Sequence, residues 1–124
     1  MIDSEPDVLI VEDDAELRDA LCRALEEEGF HCHSVKDAWQ ALGLIENDGW
    51  RPRVILLDLM MPRMNGWEFL DRRKRSEVLR RIAVVVLSAA DAPRMEELTA
   101  DAVLTKPIRL DLLIGALRPF LPAV

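Results

Sequence analysis

The apolar run at residues 54–57, followed at once by Asp58, constrains the fold of this chain more than any other stretch. Four consecutive aliphatic residues, closed by a carboxylate and soon afterwards by Met61 and Pro62, predict a short strand buried on both faces, as in parallel sheets. Asp58 would then lie at the carboxyl end of a central strand, where open α/β sheets place their ligand crevice. Because a carboxylate is costly to desolvate, we expect it to have a chemical role or a cation nearby.

Four further apolar segments alternate with helical patterns along the chain. Residues 8–11, 31–35, 82–87 and 102–105 predict strands, and the intervening segments carry apolar residues at helical spacing. Asp13 or Asp14 is expected to cap the first helix, Asp37 to open the second, and 91–99 to form a short fourth. Five strand–helix alternations indicate an α/β fold with a parallel sheet covered on both faces. We expect residues 1–124 to form one domain, with a core of about 7–121 and no output domain in this chain.

Composition excludes several classes of function. A formal net charge of −7 argues against a nucleic-acid surface. No segment approaches the roughly 20 apolar residues of a membrane span, and the first residues lack the basic region of a secretory signal. Cys22 and Cys32 fall in a predicted helix and a predicted strand, which favours buried thiols over a bridge or a metal pair. We therefore predict a soluble, cytoplasmic protein without direct nucleic-acid or membrane contact.

Two sets of side chains outside the strand ends have alternative interpretations. The basic residues at 72–75 and 80–81 lack interleaved aromatics, and we interpret them as a solvated helix end and loop, with a partner-docking patch as the alternative. Trp39 and Trp67 are expected to be partly buried between helices and sheet, with a partner anchor as the alternative.

The carboxyl ends of the predicted core strands carry acidic, hydroxyl and amine side chains. These are Glu12, Asp13, Asp58, Ser88 and Lys106. In a parallel sheet these ends share one edge, so three carboxylates would repel each other there unless a cation intervened. Oxygen-only ligands suit Mg²⁺, and the absence of histidine and cysteine from this edge argues against Zn²⁺. A carboxylate nucleophile, a divalent cation and a lysine are the components that phosphoryl transfer needs.

Four segments, in this order, resemble the signature of bacterial two-component response-regulator receiver domains, including those of chemotaxis response regulators. The segments are Val11-Glu12-Asp13-Asp14, Leu57-Asp58-Leu59-Met60-Met61-Pro62-Arg63-Met64-Asn65-Gly66, Leu87-Ser88-Ala89 and Thr105-Lys106-Pro107. The resemblance covers residues 7–121. It implies a flavodoxin-like, doubly wound (βα)5 fold with a five-stranded parallel sheet of order 2-1-3-4-5.

The resemblance also implies a phosphoacceptor and a metal site. Asp58 would accept a phosphoryl group from a phosphohistidine of a sensor histidine kinase or a histidine phosphotransfer protein. Asp13, Asp58 and the backbone carbonyl of Met60 would ligate Mg²⁺, for which Mn²⁺ could substitute. Glu12 would act on the ion largely through water.

The sequence follows the family at three further positions and departs from the family's pattern in two respects. By resemblance, Ser88 and Lys106 would bind the phosphoryl oxygens, and the Lys106–Pro107 bond would be cis. The family's switch position, three residues before the lysine, usually holds tyrosine or phenylalanine but is Val103 here, which has little χ1 freedom. The interval from Ser88 to Lys106 is also about one helical turn shorter than usual, so the helix over 91–99 should be short or poorly formed.

These expectations together describe a phosphorylation-controlled signalling switch. Phosphorylation of Asp58 would alter the surface of the fourth predicted helix, the fifth strand and the last helix. That surface would serve a downstream protein target or an output domain outside this chain. We expect a monomer or weak dimer, and no enzyme activity beyond its own phosphorylation and dephosphorylation.

Two other functions are compatible with this fold and can be compared with the switch by their sequence features. A constitutive protein-docking module of the same fold would suit Val103 and the shortened helix over 91–99. An enzyme acting on small phosphate esters is disfavoured, because no second general acid–base carboxylate is visible after Asp58.

Overall fold

Five parallel strands form one sheet in the computed structural model, which describes residues 6–59, 65–89 and 100–122. The strands are β1 (Val8–Val11), β2 (Cys32–Val35), β3 (Val54–Asp58), β4 (Ala83–Ser88) and β5 (Ala102–Thr105). Their order is β2-β1-β3-β4-β5, which confirms the predicted topology. Because β3 has a neighbour on each side and helices on both faces, all its residues are buried.

The register of the parallel pairs brings the strand ends together at one edge. Val11 of β1 lies opposite Leu57 of β3, and Asp58 of β3 lies opposite Leu87 of β4. At the next step Ser88 lies opposite Thr105 of β5. The residues that follow β1 and β5 therefore emerge beside Asp58 and Ser88.

Helices cover both faces of this sheet. They are α1 (Ala15–Glu27), α2 (Ala38–Leu42), α3 (Gly66–Lys74), α4 (Glu77–Arg80) and α5 (Leu110–Leu117). A π-helical segment, Gly43–Asn47, extends α2, and a 3-10 turn, Arg118–Phe120, extends α5. Among the helices of the described ranges, none is both long and apolar enough to pass through a bilayer.

Alternate residues of each strand enter different hydrophobic clusters. Ile10 and Leu56 pack with α1 and α5 on one face of the sheet. Leu9 and Leu57 pack with α2 and α3 on the other. Both faces are covered, so the core strands are apolar at every position instead of every second one.

Local signals set where the helices begin and end. The Asp14 side chain accepts a hydrogen bond from the backbone N–H of Glu16 at 3.0 Å, and Asp37 accepts one from Gln40 at 2.8 Å. Both are N-caps, as predicted. Gly29, just past α1, has φ 95°, a conformation that glycine adopts without steric cost.

The short helix α4 is missing from the sequence-based expectations. Ser76 caps it by accepting a hydrogen bond from the backbone N–H of Leu79 at 3.1 Å, and Leu79 is buried. The Ser76-Glu77 pair is an N-terminal helix signal that could have revealed this turn. The helix predicted over 91–99 lies outside the described residues.

Arg73 corrects the interpretation of the basic stretch as a solvated helix end. Its side chain is only 14% exposed and forms an ion pair with Asp101 at 3.1 Å. Its guanidinium also donates to the backbone carbonyls of Leu79 at 3.3 Å and Ile82 at 2.9 Å. The same Asp101 oxygen accepts a hydrogen bond from the backbone N–H of Val84 at 2.8 Å. Arg73 therefore joins α3 to α4 and to the beginnings of β4 and β5.

We expect Arg73→Ala to lower the free energy of unfolding by about 2–3 kcal/mol, because two carbonyls and a carboxylate lose a charged donor together. Arg75→Ala is the matched control, since it removes only an exposed pair with Asp71 and should cost less than about 0.5 kcal/mol. Urea unfolding of both variants measures the difference. Equal losses would show that the buried contacts of Arg73 contribute nothing beyond a surface pair.

The tryptophans on α2 and α3 differ in environment. Trp67 is partly buried and packs against a core cluster, as predicted. Trp39 is 52% exposed, so the expectation of helix–sheet packing is wrong for this residue. Ala38, Ala41 and Leu42 form the buried side of α2, which leaves Trp39 directed to the solvent.

Candidate functional site

Three carboxylates meet at the carboxyl edge of the sheet. Glu12 and Asp13 directly follow β1, and Asp58 is the last residue of β3. One carboxylate oxygen from each lies within 4.8 Å of the other two. Glu12 and Asp58 are only 1% and 3% exposed, whereas Asp13 is exposed. Residues that are 45 positions apart in the chain thus form one acidic cluster, because parallel strands end together.

Lys106 is the cation that faces this acidic cluster. Its Nζ lies 3.4 Å from Asp58 Oδ1 and 3.6 Å from Glu12 Oε1. Its position is set by β5, which it directly follows, and by its backbone N–H, which donates to the Ser88 carbonyl at 2.8 Å. The Lys106–Pro107 peptide bond is cis, which confirms that prediction. Among the described residues, one ammonium group faces three carboxylates, so this part of the cluster has an excess of negative charge.

Ser88 brings a hydroxyl to the same edge. It is the last residue of β4, is 1% exposed, and lies opposite Thr105, the neighbour of Lys106 in the chain. Its hydroxyl donates to the carbonyl of Ala89 at 3.2 Å. A serine hydroxyl rotates readily, so it can donate to a different acceptor when an anion arrives.

Glu12 has a buried oxygen that the described residues do not satisfy. Oε2 accepts a hydrogen bond from the backbone N–H of Asp14 at 3.1 Å, but Oε1 is buried without a hydrogen bond from the described residues, and Lys106 Nζ at 3.6 Å is within ion-pair distance only. Burial raises the pKa of Glu12 to about 7, and the nearby charge of Asp58 adds to the effect. The Asp14 N–H and Lys106 act in the opposite direction without cancelling it.

The donor set fits Mg²⁺ in both type and spacing. Glu12, Asp13 and Asp58 offer oxygen atoms only, which hard divalent cations prefer. Two oxygens on opposite sides of an octahedral Mg²⁺ are about 4.2 Å apart, and the three carboxylate oxygens here all lie within 4.8 Å of one another. A divalent cation would also neutralise the oxygen of Glu12 that lacks a donor. Met60, whose carbonyl is a further predicted ligand, lies outside the described residues.

Two contacts that support the acidic cluster were not anticipated. The guanidinium of Arg18 donates to the backbone carbonyl of Glu12 at 2.9 Å and so ties α1 to the turn after β1. The backbone N–H of Gly66 donates to the Leu59 carbonyl at 2.7 Å, which closes the loop that follows Asp58. Arg18 is one polar residue among several on α1 and carries no sequence signal for this role. The glycine did belong to the motif, but the motif alone does not say what it contacts.

Val103, the predicted switch position, lies on β5 opposite Val86. It is 36% exposed and lines a cavity of about 320 Å³ together with Pro107, Ile108 and Leu112. Its branched side chain has few rotamers to exchange. Its part in switching stays a prediction.

The Glu12→Gln variant measures the electrostatic cost of the acidic cluster. Folding raises the pKa of Glu12 from 4.5 to about 7, so its contribution to stability is complete below pH 4.5 and is lost as pH rises through about 7. Without metal, the free energy of unfolding of the wild type should fall by roughly 1–3 kcal/mol over that range because of Glu12. The Glu12→Gln variant should not show this fall. Unfolding in EDTA between about pH 4 and 8 measures the difference.

The control for this prediction is Glu16→Gln, which neutralises an exposed carboxylate of α1. It should follow the wild-type pH profile. Adding Mg²⁺ near pH 8 should stabilise the wild type more than Glu12→Gln, because a ligand stabilises the state that binds it. Parallel pH profiles for the wild type and Glu12→Gln would contradict the assignment.

The sheet order and its acidic edge define a flavodoxin-like signalling domain. The family model of the response regulator receiver domain matches residues 8–118. This chain belongs to the response regulator receiver domain family of two-component systems. Membership implies phosphorylation-based signalling.

Similar proteins include both longer regulators and isolated receiver domains. The chain is 38% identical over 104 residues to the phosphate regulon transcriptional regulatory protein PhoB of Escherichia coli K12, a match that covers 81% of this chain and 44% of PhoB. It is 35% identical to the CheY-like receiver domain protein of Methanospirillum hungatei JF-1, with a TM-score of 0.80 and 93% of each chain covered.

A further solved structure is the receiver domain of a signal transduction histidine kinase from Syntrophus aciditrophicus. It is 29% identical, with a TM-score of 0.84, and the match covers 93% of this chain and 89% of that one. The curated relatives are longer, since this chain spans about half of their length, from 44% of PhoB to 50% of the response regulator MprA of Mycobacterium sp. strain KMS.

Proposed function

We propose that this receiver domain is a phosphorylation-controlled switch in which Asp58 accepts a phosphoryl group from the phosphohistidine of a sensor histidine kinase or a histidine phosphotransfer protein. The observation that carries the proposal is the buried carboxylate of Asp58, which lies 3.4 Å from Lys106 Nζ within the cluster of Glu12 and Asp13. A carboxylate held between a cation and other acids is a positioned nucleophile. Residues 1–124 would form one such domain.

The transfer requires positioning and charge neutralisation more than acid–base chemistry. An oxygen of Asp58 attacks the phosphorus atom of the donor, and the new O–P bond forms as the P–N bond to imidazole breaks. The imidazole leaves with the electron pair of that bond and takes up a proton from solvent. Lys106, paired with Asp58 before the transfer, would then bind a phosphoryl oxygen, and the Ser88 hydroxyl would donate to another.

Asp13, Asp58 and the backbone carbonyl of Met60 would hold Mg²⁺, with Glu12 acting largely through water. When bound, this ion supplies neutralisation of the charge on the transferring phosphoryl group. The oxygen-only donors and the unsatisfied Oε1 of Glu12 support this proposal. Mn²⁺ would substitute, because it also accepts octahedral oxygen coordination.

Phosphorylation would reach the surface through Lys106 and β5. It replaces one negative charge on Asp58 by roughly two and adds acceptor oxygens. Lys106, which pairs with the Asp58 and Glu12 carboxylates beforehand, would then bind a phosphoryl oxygen. Val103, Leu110 and Leu112 are large exposed apolar residues on β5 and α5, the elements on either side of Lys106. With the segment 91–99, they would form the surface that a protein partner or an output domain recognises in the phosphorylated monomer or weak dimer.

Covalent phosphorylation of the wild-type chain by acetyl phosphate or phosphoramidate tests the proposal. We expect one phosphoryl group per chain, only with Mg²⁺, detected by intact mass. Hydride reduction of the acyl phosphate followed by peptide mapping should mark residue 58. Fluorescence of Trp67, the second residue of α3, offers a separate measure of Mg²⁺ binding.

A constitutive docking module is the second candidate function. The aliphatic, partly exposed Val103 favours it, because this position has no ring that could turn inward. The ion pair of Lys106 with the buried Asp58 favours the switch. Absence of Mg²⁺-dependent phosphorylation, with Mg²⁺ binding intact, would favour the docking module.

A further inference from the structure

A second polar cavity lies at the edge of the sheet opposite to the acidic cluster. It has a volume of about 490 Å³ and is lined by residues that lie just before strands. Asp7 precedes β1, Arg53 precedes β3, and Arg81 with Ile82 precedes β4. Arg51, at the end of the connection from α2, also lines the cavity, together with Pro6 and Pro52. This is the amino-terminal edge of the sheet, so the cavity is separate from Asp58 and its partners.

The charge of this cavity is opposite to that of the chain. Among the residues that the structure describes, three arginines and one aspartate line it, whereas the whole chain has a net charge of −7. Asp7 carries one negative charge against three guanidinium groups, and its Oδ2 also accepts a hydrogen bond from the backbone N–H of His31 at 2.9 Å. Its Oδ1 lies 3.6 Å from Nε of Arg53, a long and partly exposed ion pair. The described part of the lining therefore has an excess of positive charge.

One of the three guanidinium groups is held in place by the fold. NH1 of Arg51 donates to the backbone carbonyls of Ile45 at 2.9 Å and Trp50 at 2.7 Å. A cation fixed in this way loses little entropy when a ligand binds. Arg81 differs, because its exposed side chain forms no ion pair or hydrogen bond with any other described residue. Arg53 is also available, with 57% of its side chain exposed.

We propose that this cavity binds a small multivalent oxyanion, either free polyphosphate or the phosphate chain of a nucleotide. Guanidinium groups bind phosphate oxygens through paired hydrogen bonds, and three groups around one cavity suit more than one phosphate. The volume is within the range of about 300–1,000 Å³ that small-molecule sites occupy. A long polyanion such as RNA is disfavoured, because the negative charge of the remaining surface would repel it.

In this site Arg51 acts as the fixed cation, and Arg53 and Arg81 close on the ligand. Binding needs no Mg²⁺ and no phosphorylation, so it is independent of the proposed switch. It weakens as salt is added, because the contacts are electrostatic and partly exposed.

Calorimetric titration of the whole chain with inorganic pyrophosphate, in EDTA and at low ionic strength, tests the site. We expect saturable binding of one anion per chain. Arg81→Ala and Arg53→Ala should each weaken it by about tenfold or more, the effect of losing one charged hydrogen bond. Arg23→Ala, which removes an exposed arginine of α1, is the matched control and should bind as the wild type does. Thermal unfolding checks that every variant is folded.

Two further binding measurements identify where the anion binds and whether the phosphates belong to a nucleotide. Lys106→Ala should leave pyrophosphate binding unchanged, whereas its loss in that variant would place the anion beside Asp58 and overturn the proposal. Tighter binding of ATP than of inorganic tripolyphosphate would assign a nucleotide, and equal binding would assign the phosphates alone. The proposal would also be overturned if pyrophosphate binding did not saturate, or if Arg23→Ala and Arg81→Ala weakened it equally.

Discussion

The Asp58→Asn protein is expected to incorporate about 100-fold less phosphoryl group from acetyl phosphate than the wild type, or none at all. An amide has no carboxylate oxygen to attack phosphorus, and it also removes one of the three charges that attract Mg²⁺. The change conserves size and leaves Lys106 paired with Glu12, so the fold should persist. Intact mass after incubation with acetyl phosphate and Mg²⁺ measures the incorporation.

The matched control is Asp19→Asn, which neutralises an exposed carboxylate on α1. It should label as the wild type does. Thermal unfolding of both variants separates a lost nucleophile from a lost fold. An Asp58→Asn protein that labels as well as Asp19→Asn would show that Asp58 is not the phosphoacceptor.

Gly66→Ala should produce the largest loss of stability from a single methyl group. A Cβ at this position would lie 2.6 Å from the Cα and 2.9 Å from the carbonyl oxygen of Leu59, which is fully buried. Backbone atoms of a buried residue cannot move aside cheaply, so we expect a loss of about 2–4 kcal/mol in the free energy of unfolding. Leu59 directly follows Asp58, and the displaced backbone should also weaken Mg²⁺ binding by about tenfold.

Gly115→Ala is a control that should change stability in the opposite direction. Gly115 lies within α5, and a Cβ there would meet no atom within 4 Å. Alanine loses less backbone entropy than glycine in a helix, so this variant should be more stable by about 0.5–1 kcal/mol. Urea unfolding of both variants tests the contrast. A similar effect of the two substitutions would mean that the close approach to Leu59 is unimportant.

The acidic cluster is a place where function opposes stability. Burial of Glu12 beside Asp58 is unfavourable without a metal ion, which is why the pKa of Glu12 rises to about 7. Lys106 offsets part of this repulsion through ion pairs of 3.4 and 3.6 Å. A site that is incompletely neutralised by its own residues is suited to respond to a cation or a phosphoryl group.

Local patterns were sufficient for the strands and for the N-caps of α1 and α2. The apolar runs at 8–11, 54–57 and 102–105 coincide with β1, the core of β3 and β5, because periodicity and burial act over a few neighbouring residues. The capping aspartates act in the same way, through hydrogen bonds that span two or three residues. The alternation of strands and helices predicted the parallel sheet, and the resemblance supplied its order.

The meeting of the acids with Lys106 was also predictable, because all parallel strands in a sheet end at one edge. Three features could be seen only in the tertiary structure. They are the buried Glu12 oxygen without a hydrogen bond, the burial of Arg73 and the contact of Gly66 with Leu59. The same holds for the arginine-lined cavity at the opposite edge. Each of these depends on distances between segments that are remote in sequence, and no pattern of neighbouring residues encodes such distances.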